Sequence, residues 1–313
     1  MFNYDSTLSF DPKKAISRLI AFFDLFEYPL TPLEVWHYLD RRIPLTEIMT
    51  VLDNLYSASP TGKPIVSEKN GFYFLAGREE IVITRQKRHN YSQRKVKIAQ
   101  KFSRLFSFLP TVRMVAVANS LGQYNLRDES DIDFFIITTP HRLWLSRFFC
   151  AGLAKILNRR PTRRTKRDKI CLSFYISTEH LNISDLALGG NKSQSVQFFQ
   201  DPYFYCWQRG LILLYNKKRT YESFLVTNQL IDVPNGGSLL TSSEDTQLNF
   251  LGNWLEKMTK KIQQLIMPME LKGALNNNFS SGVVINSQVL KLYQHDRRQE
   301  FLEKYEQKIQ KII

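Results

Sequence analysis

Two carboxylates set two residues apart open an apolar run in this chain: Asp131-Ile132-Asp133 leads directly into Phe134-Phe135-Ile136-Ile137. A short run rich in aromatic and β-branched residues reads as a buried strand. Successive side chains of a strand point to opposite faces, so Asp131 and Asp133 project from one face at its open end. Upstream, Val112 to Ala118 reads as another buried strand. Asn119 to Gly122 follows it as a tight turn, because Asn and Gly tolerate left-handed backbone angles. A helix starting there would aim backbone N–H groups and the Ser120 hydroxyl at an anion. Downstream, Arg142 to Leu157 has helical periodicity and Lys169 to Ser177 reads as a third strand. Adjacent carboxylates repel unless a cation lies between them, and hard oxygen ligands beside a phosphate-cradling turn suit Mg²⁺. That is equipment for metal-assisted phosphoryl or nucleotidyl transfer.

The segment resembles the signature of the polymerase-β-like nucleotidyltransferase superfamily, a Gly-Ser pair followed at a fixed interval by Asp-x-Asp. Ten residues separate Ser120 from Asp131, and Arg127-Asp128-Glu129-Ser130-Asp131-Ile132-Asp133 is similar to the Arg-x-x-Ser-Asp-x-Asp ending of small bacterial members. The strand–turn–helix–strand–helix–strand order of residues 111–180 is also that of the family core. The resemblance implies an α+β fold with a small mixed β-sheet and helices on one side. It implies that Asp131 and Asp133 are the catalytic residues and bind Mg²⁺. It also implies that Ser120, with Asn119, Ser130 and Arg127, binds the nucleotide. A nucleoside monophosphate would then pass from a nucleoside triphosphate to an acceptor hydroxyl, releasing pyrophosphate. Two residues depart from the pattern. Asn119 stands where the family has Gly. The third carboxylate of active members maps to Ser173 or Tyr175, leaving only Glu179 or Asp185 as nearby acids. The alternative is a catalytically inactive member of the same fold, used as a nucleotide- or nucleic-acid-binding adaptor.

Ahead of this core, Asp11-Pro12 predicts the start of a helix running to about residue 27. Thr31-Pro32 with Glu34 predicts a second helix and a capping box. Residues 44–58 form a third, with Leu45, Ile48, Val51, Leu52 and Leu55 inward. Asn70-Gly71 between two apolar runs predicts a hairpin. Three helices and a hairpin resemble a winged helix, giving an expected winged-helix-like domain over residues 1–82. Its third helix holds Glu47 and Asp53 and no Lys or Arg, so it is a poor reader of DNA phosphates. Packing or protein docking suits it better. A basic connecting helix (83–110), the nucleotidyltransferase-like core (111–232) and a C-terminal helical region (233–313) complete the expected division. In that last region Leu251, Trp254, Leu255, Met258, Ile262, Leu265 and Ile266 define a helix, with Lys257, Lys260 and Lys261 outward.

The net charge of +14 is concentrated in two windows, Arg85–Arg104 and Lys155–Lys169, which hold the whole excess. Such clustering predicts a polyanionic partner, RNA among them, although a solvated helix face would look the same. No apolar run approaches the roughly 18–20 residues of a bilayer span, so no membrane partner is expected. Cys150, Cys171 and Cys206 form neither an even disulfide set nor a metal-like pair, which predicts a cytoplasmic protein with reduced thiols.

Overall fold

The computed structural model describes residues 10–57, 64–162, 164–190, 195–231, 250–269, 271 and 282–312. The described chain forms two compact units. One comprises the residues up to Lys87 together with those from Gln299 onward, and the other runs from Arg88 to Arg298.

The first unit follows the predicted order. Helices α1 (Pro12–Asp24), α2 (Pro32–Tyr38) and α3 (Leu45–Ser57) precede strands β1 (Val66–Lys69) and β2 (Phe72–Leu75). The Asp11 carboxylate accepts from the backbone N–H groups of Lys13 and Lys14, which starts α1. Thr31 and Glu34 exchange both bonds of a capping box at the head of α2. Asn70 and Gly71 both have positive φ, as a two-residue hairpin turn demands. The inward side of α3 is Ile48, Leu52 and Leu55, and its outward residues include Glu47 and Asp53. A helix from the far end of the chain, α10 (Arg298–Ile309), also joins this unit. Phe22 meets Tyr305 edge to face at 5.7 Å, and Phe26 meets Phe301 at 5.0 Å. Lys308 pairs with the buried Asp24. The expected C-terminal helical region is therefore divided between the units. Its strands β7 (Val283–Ile285) and β8 (Val289–Leu292) were also not expected.

The long helix α4 (Glu80–Ser107) begins in the first unit and continues into the second. There the elements are β3 (Val112–Val117), α5 (Asn119–Gly122), β4 (Ile132–Thr138), α6 (Leu143–Ile156) and β5 (Ile170–Ser177). They are followed by α7 (Pro202–Arg209), β6 (Ile212–Asn216), α8 (Thr220–Thr227), α9 (Phe250–Leu265), β7 and β8. The sheet is mixed and six-stranded, in the order β6-β3-β4-β5-β8-β7. Only β4 and β5 are parallel, joined by α6 as crossover; their neighbours pair antiparallel. An α+β class is thus what the chain forms.

Helices cover both faces of this sheet, not one as expected. On one face Phe102 and Phe106 of α4, and Trp144, Cys150 and Ala154 of α6, pack with Phe134, Ile136 and Leu172. On the other, Phe135 and Phe174 meet Trp207 of α7 at 5.1 and 5.3 Å, and Phe135 meets Phe224 of α8 at 5.6 Å. These two helices have eight residues each, too short to display helical periodicity, and they cover the sheet with a few large rings instead. The close fit extends to the α5 turn: a Cβ on Gly122 would lie 1.9 Å from the Gly210 carbonyl oxygen, so only glycine serves there.

Candidate metal and nucleotide site

Asp131 and Asp133 flank Ile132 at the mouth of β4, and each is half-buried. Backbone bonds fix this edge: Ile132 N–H donates to Lys169 at 2.8 Å, and Ala118 N–H to Asp133 at 3.1 Å. Directly across the parallel pair, Asp133 faces Cys171. The two carboxylates and the Cys171 thiol each offer an atom within 4.8 Å of the others. The predicted pair converges, and a residue not predicted joins it.

A bulge immediately after this pair decides which later residues of β5 share its face. Asp133 pairs with Cys171 and Phe135 with Phe174, so β5 uses one residue more than β4 over this stretch. The extra residue reverses the side-chain alternation. Ser173 stays on the face of Cys171, 2.5 Å from its sulfur. Tyr175 turns to the opposite face, where it is fully buried in the core with Cys150 and Leu290. Regular alternation would have kept Ser173 and Tyr175 together; the bulge separates them, and Tyr175 is removed from the site. Neither nearby acid replaces the missing carboxylate. Asp185 lies 3.1 Å from His180, and Glu179 3.8 Å from His141.

The turn after β3 carries Asn119 at φ 55°, the left-handed conformation for which Gly or Asn is suited. Its side chain hydrogen-bonds Asp133. The Tyr203 hydroxyl donates to Asn119 Oδ1 at 3.4 Å, and Tyr293 hydrogen-bonds the same amide. Ser120 is half-buried in the next position, and its carbonyl accepts from Asn125 N–H at 2.7 Å. Arg127 is exposed, and its carbonyl accepts from Ser130 N–H at 3.3 Å. The structure thus brings Asn119 against the acid pair and places Arg127 on an outer turn of the connecting loop.

That loop is anchored by Lys95 of α4. Its side chain is fully buried, and its ammonium donates to the carbonyls of Asp128 (2.9 Å) and Ser130 (2.7 Å) and to Asp168 Oδ1 (2.9 Å). One cation therefore ties the approach to Asp131 to the turn that precedes β5. Arg94 adds bonds to Asp128 and Asp168. Burial alone would push Asp168 upward, yet the hydrogen bonds and charges of Lys95 and Arg94 hold it below the ordinary aspartate range.

The electrostatics run the other way at the acid pair. Burial, then the charge of Asp131, pushes Asp133 up to about 6, against the hydrogen bonds from Asn119 and Cys171. Burial also raises Asp131, with Lys166 and Lys95 opposing. The Cys171 thiol is driven well up by burial and by both acids. Burial and Asp133 likewise raise Tyr203 and Tyr293, so both phenols stay neutral. A desolvated cluster in which every acid is pushed toward its neutral form is short of positive charge, and a divalent cation would reverse each of these shifts. The paired carboxylates fit a hard ion such as Mg²⁺; the thiol is a soft donor that such an ion does not need.

Sequence reasoning missed Cys171, Lys95, Tyr203 and Tyr293. Lys95 could have been found, because it falls with Ser92, Ala99, Phe102 and Phe106 on the buried stripe of α4. The two tyrosines come from distant segments with no pattern that assigns them to Asp133. In comparisons with known proteins, the chain matches no protein-family model, no curated protein and no solved structure.

Proposed function

We propose that the protein is a Mg²⁺-dependent nucleotidyltransferase that passes a nucleoside monophosphate from a nucleoside triphosphate to an acceptor hydroxyl. The observation that carries this reading is the convergence of Asp131 and Asp133, within 4.8 Å and beside the Asn119-Ser120 turn. The strand–turn–helix–strand–helix–strand order around them supports the resemblance to a polymerase-β-like core. Asp131 and Asp133 hold the ion, which when bound neutralises charge on the triphosphate and its leaving pyrophosphate. Asn119 fixes the orientation of the Asp133 carboxylate, while Ser120 and the loop through Arg127 and Ser130 face the nucleotide. Lys95 holds that loop in place before any ligand arrives, so the geometry is prepaid. The preceding three-helix and hairpin unit acts as a winged-helix-like module for packing or protein docking, and exposed basic residues of the two charge windows favour a polyanionic acceptor such as RNA.

One observation favours a second reading. The position facing Asp133 is a protonated thiol rather than a carboxylate, so no general base for the acceptor hydroxyl stands there. An inactive adaptor would bind nucleotide without turnover. Titration calorimetry of each Mg-nucleoside triphosphate against the wild type and Asp131→Asn/Asp133→Asn tests the shared part: binding should occur and be lost in the variant. A pyrophosphate-release screen across acceptors then separates the two. Release that disappears in Asp133→Asn establishes the transferase, and binding with no release under any acceptor leaves the adaptor.

A further inference from the structure

Helix α9 is inverted relative to the sequence expectation. At about 100° per residue, Leu251, Trp254, Met258, Ile262 and Leu265 fall within one sector roughly 80° wide. A soluble helix normally turns such a sector inward. Here Leu251 is 65% exposed, Trp254 53% and Leu265 77%, and the following Ile266 is 76% exposed. The buried side of α9 is polar instead. Glu256 accepts from the backbone N–H groups of Trp144 and Leu145 at 2.9 and 2.8 Å. Gln263 donates to the Trp144 carbonyl at 2.7 Å and accepts from Arg147 at 2.6 Å. Asn253 accepts from Arg142 at 2.9 Å, and Thr259 is 1% exposed.

The polar contacts with α6 thus fix which way the helix faces, and they leave its apolar stripe outside. Lys261 and Lys257 are exposed along one flank of that stripe, about 60° and 100° round the helix from its centre, and the exposed Lys260 lies further round. The helix has a single acid, Glu256, and it is turned inward. The outer surface therefore combines apolar side chains, one of them Trp, with positive charge only.

We propose that α9 docks the protein on an anionic phospholipid surface, the apolar stripe entering the headgroup boundary and the lysines meeting the lipid phosphates. Charge selects this occupant over a second copy of the chain, since two such faces would bring like charges together. No described helix is long and apolar enough to cross a bilayer, so the contact is peripheral.

Co-sedimentation of the full chain with phosphatidylglycerol/phosphatidylcholine vesicles, and with phosphatidylcholine alone, tests the assignment. The wild type should pellet with the anionic vesicles, less so at high salt, and Trp254 emission should shift to the blue. Leu265→Glu/Ile266→Glu changes only exposed positions, so its circular dichroism should match the wild type while vesicle binding falls at least tenfold. Replacing Lys257 or Lys261 by Gln should cost about fivefold each. A wild type that stays in the supernatant at low salt overturns the proposal, as does binding undiminished in Leu265→Glu/Ile266→Glu. So does a dimer in sedimentation equilibrium that this variant dissociates without any vesicle binding, which would assign the face to a contact between copies.

Discussion

Ionising Asp133 costs more than ionising a surface carboxylate, because its charge is desolvated and faces Asp131. Two pH dependences follow, of opposite sign. A cation binds the ionised form, so Mg²⁺ or Mn²⁺ affinity should climb with pH up to about 6 and level off above it. Without the cation, an acid whose folded pKa is raised favours the fold only while it is protonated. Thermal stability should therefore fall as pH rises from the ordinary aspartate range to about 6, then flatten. Titration calorimetry and melting curves across that interval check both, and Asp133→Asn should remove both. Lys95 makes a separate prediction. Its fully buried ammonium serves three acceptors, one of them an aspartate. Lys95→Met leaves Asp168 with Arg94 alone and removes the Lys95 donor from two carbonyls, and should cost about 3 kcal/mol in urea denaturation. Lys95→Arg should not restore it, because a planar fork does not match three acceptors gathered around a point charge.

At the scale of elements, α6 lacks a side-chain cap of its own, since Arg142 supplies none. Glu256 of α9 takes that part from another helix, accepting from the first N–H groups of α6. Burial raises the Glu256 pKa even against those two bonds, so desolvation offsets much of what they contribute. Glu256→Ala should accordingly destabilise by about 1 kcal/mol, the low side of a capping loss, and Glu256→Gln by less, as read from denaturant midpoints. Elements whose signal is local were legible in the sequence. Asp11, Thr31 with Glu34, and Asn70-Gly71 each announce a cap or turn through a bond made within four residues. The convergence of Asp131 and Asp133 was legible too, because residues two apart on one strand share a face. What escaped depends on partners far along the chain. The bulge in β5 is a property of its pairing with β4, and it turns Tyr175 away from the face that Asp133 and Cys171 share. The outward turn of the α9 stripe is set by polar bonds to α6 more than a hundred positions away, which periodicity does not record.

The same distinction holds for the whole molecule. Lys308 pairs with Asp24 across a sequence separation of 284, a contact that places α10 in the first unit and that no local pattern announces. Charge behaves likewise: its clustering is legible, but how much of it faces solvent is not. In the Arg85–Arg104 window, Arg85 holds Glu34 at 2.7 Å, and Arg88 is buried and donates to Asn125. Arg94 and Lys95 serve the site loop. In the second window Arg167 pairs with Asp128 at 3.0 Å, and Lys169 donates to the Asn158 carbonyl at 2.6 Å. These groups already have acceptors within the protein, so they add less to the attraction of a polyanion than their number implies. Lys97, Lys101 and Arg104, by contrast, are exposed at helical spacing on one face of α4. If that face tracks a nucleic-acid backbone, each residue displaces a fraction of a counterion from a single strand. Replacing all three by Gln should reduce the slope of log K against log salt by about 2 for single-stranded RNA. Lys169→Gln, which alters a residue already bound to the chain's own backbone, should leave that slope nearly unchanged. Filter binding across a salt series reads both, and equal slopes in the wild type and the triple variant would remove α4 from the polyanion-binding surface.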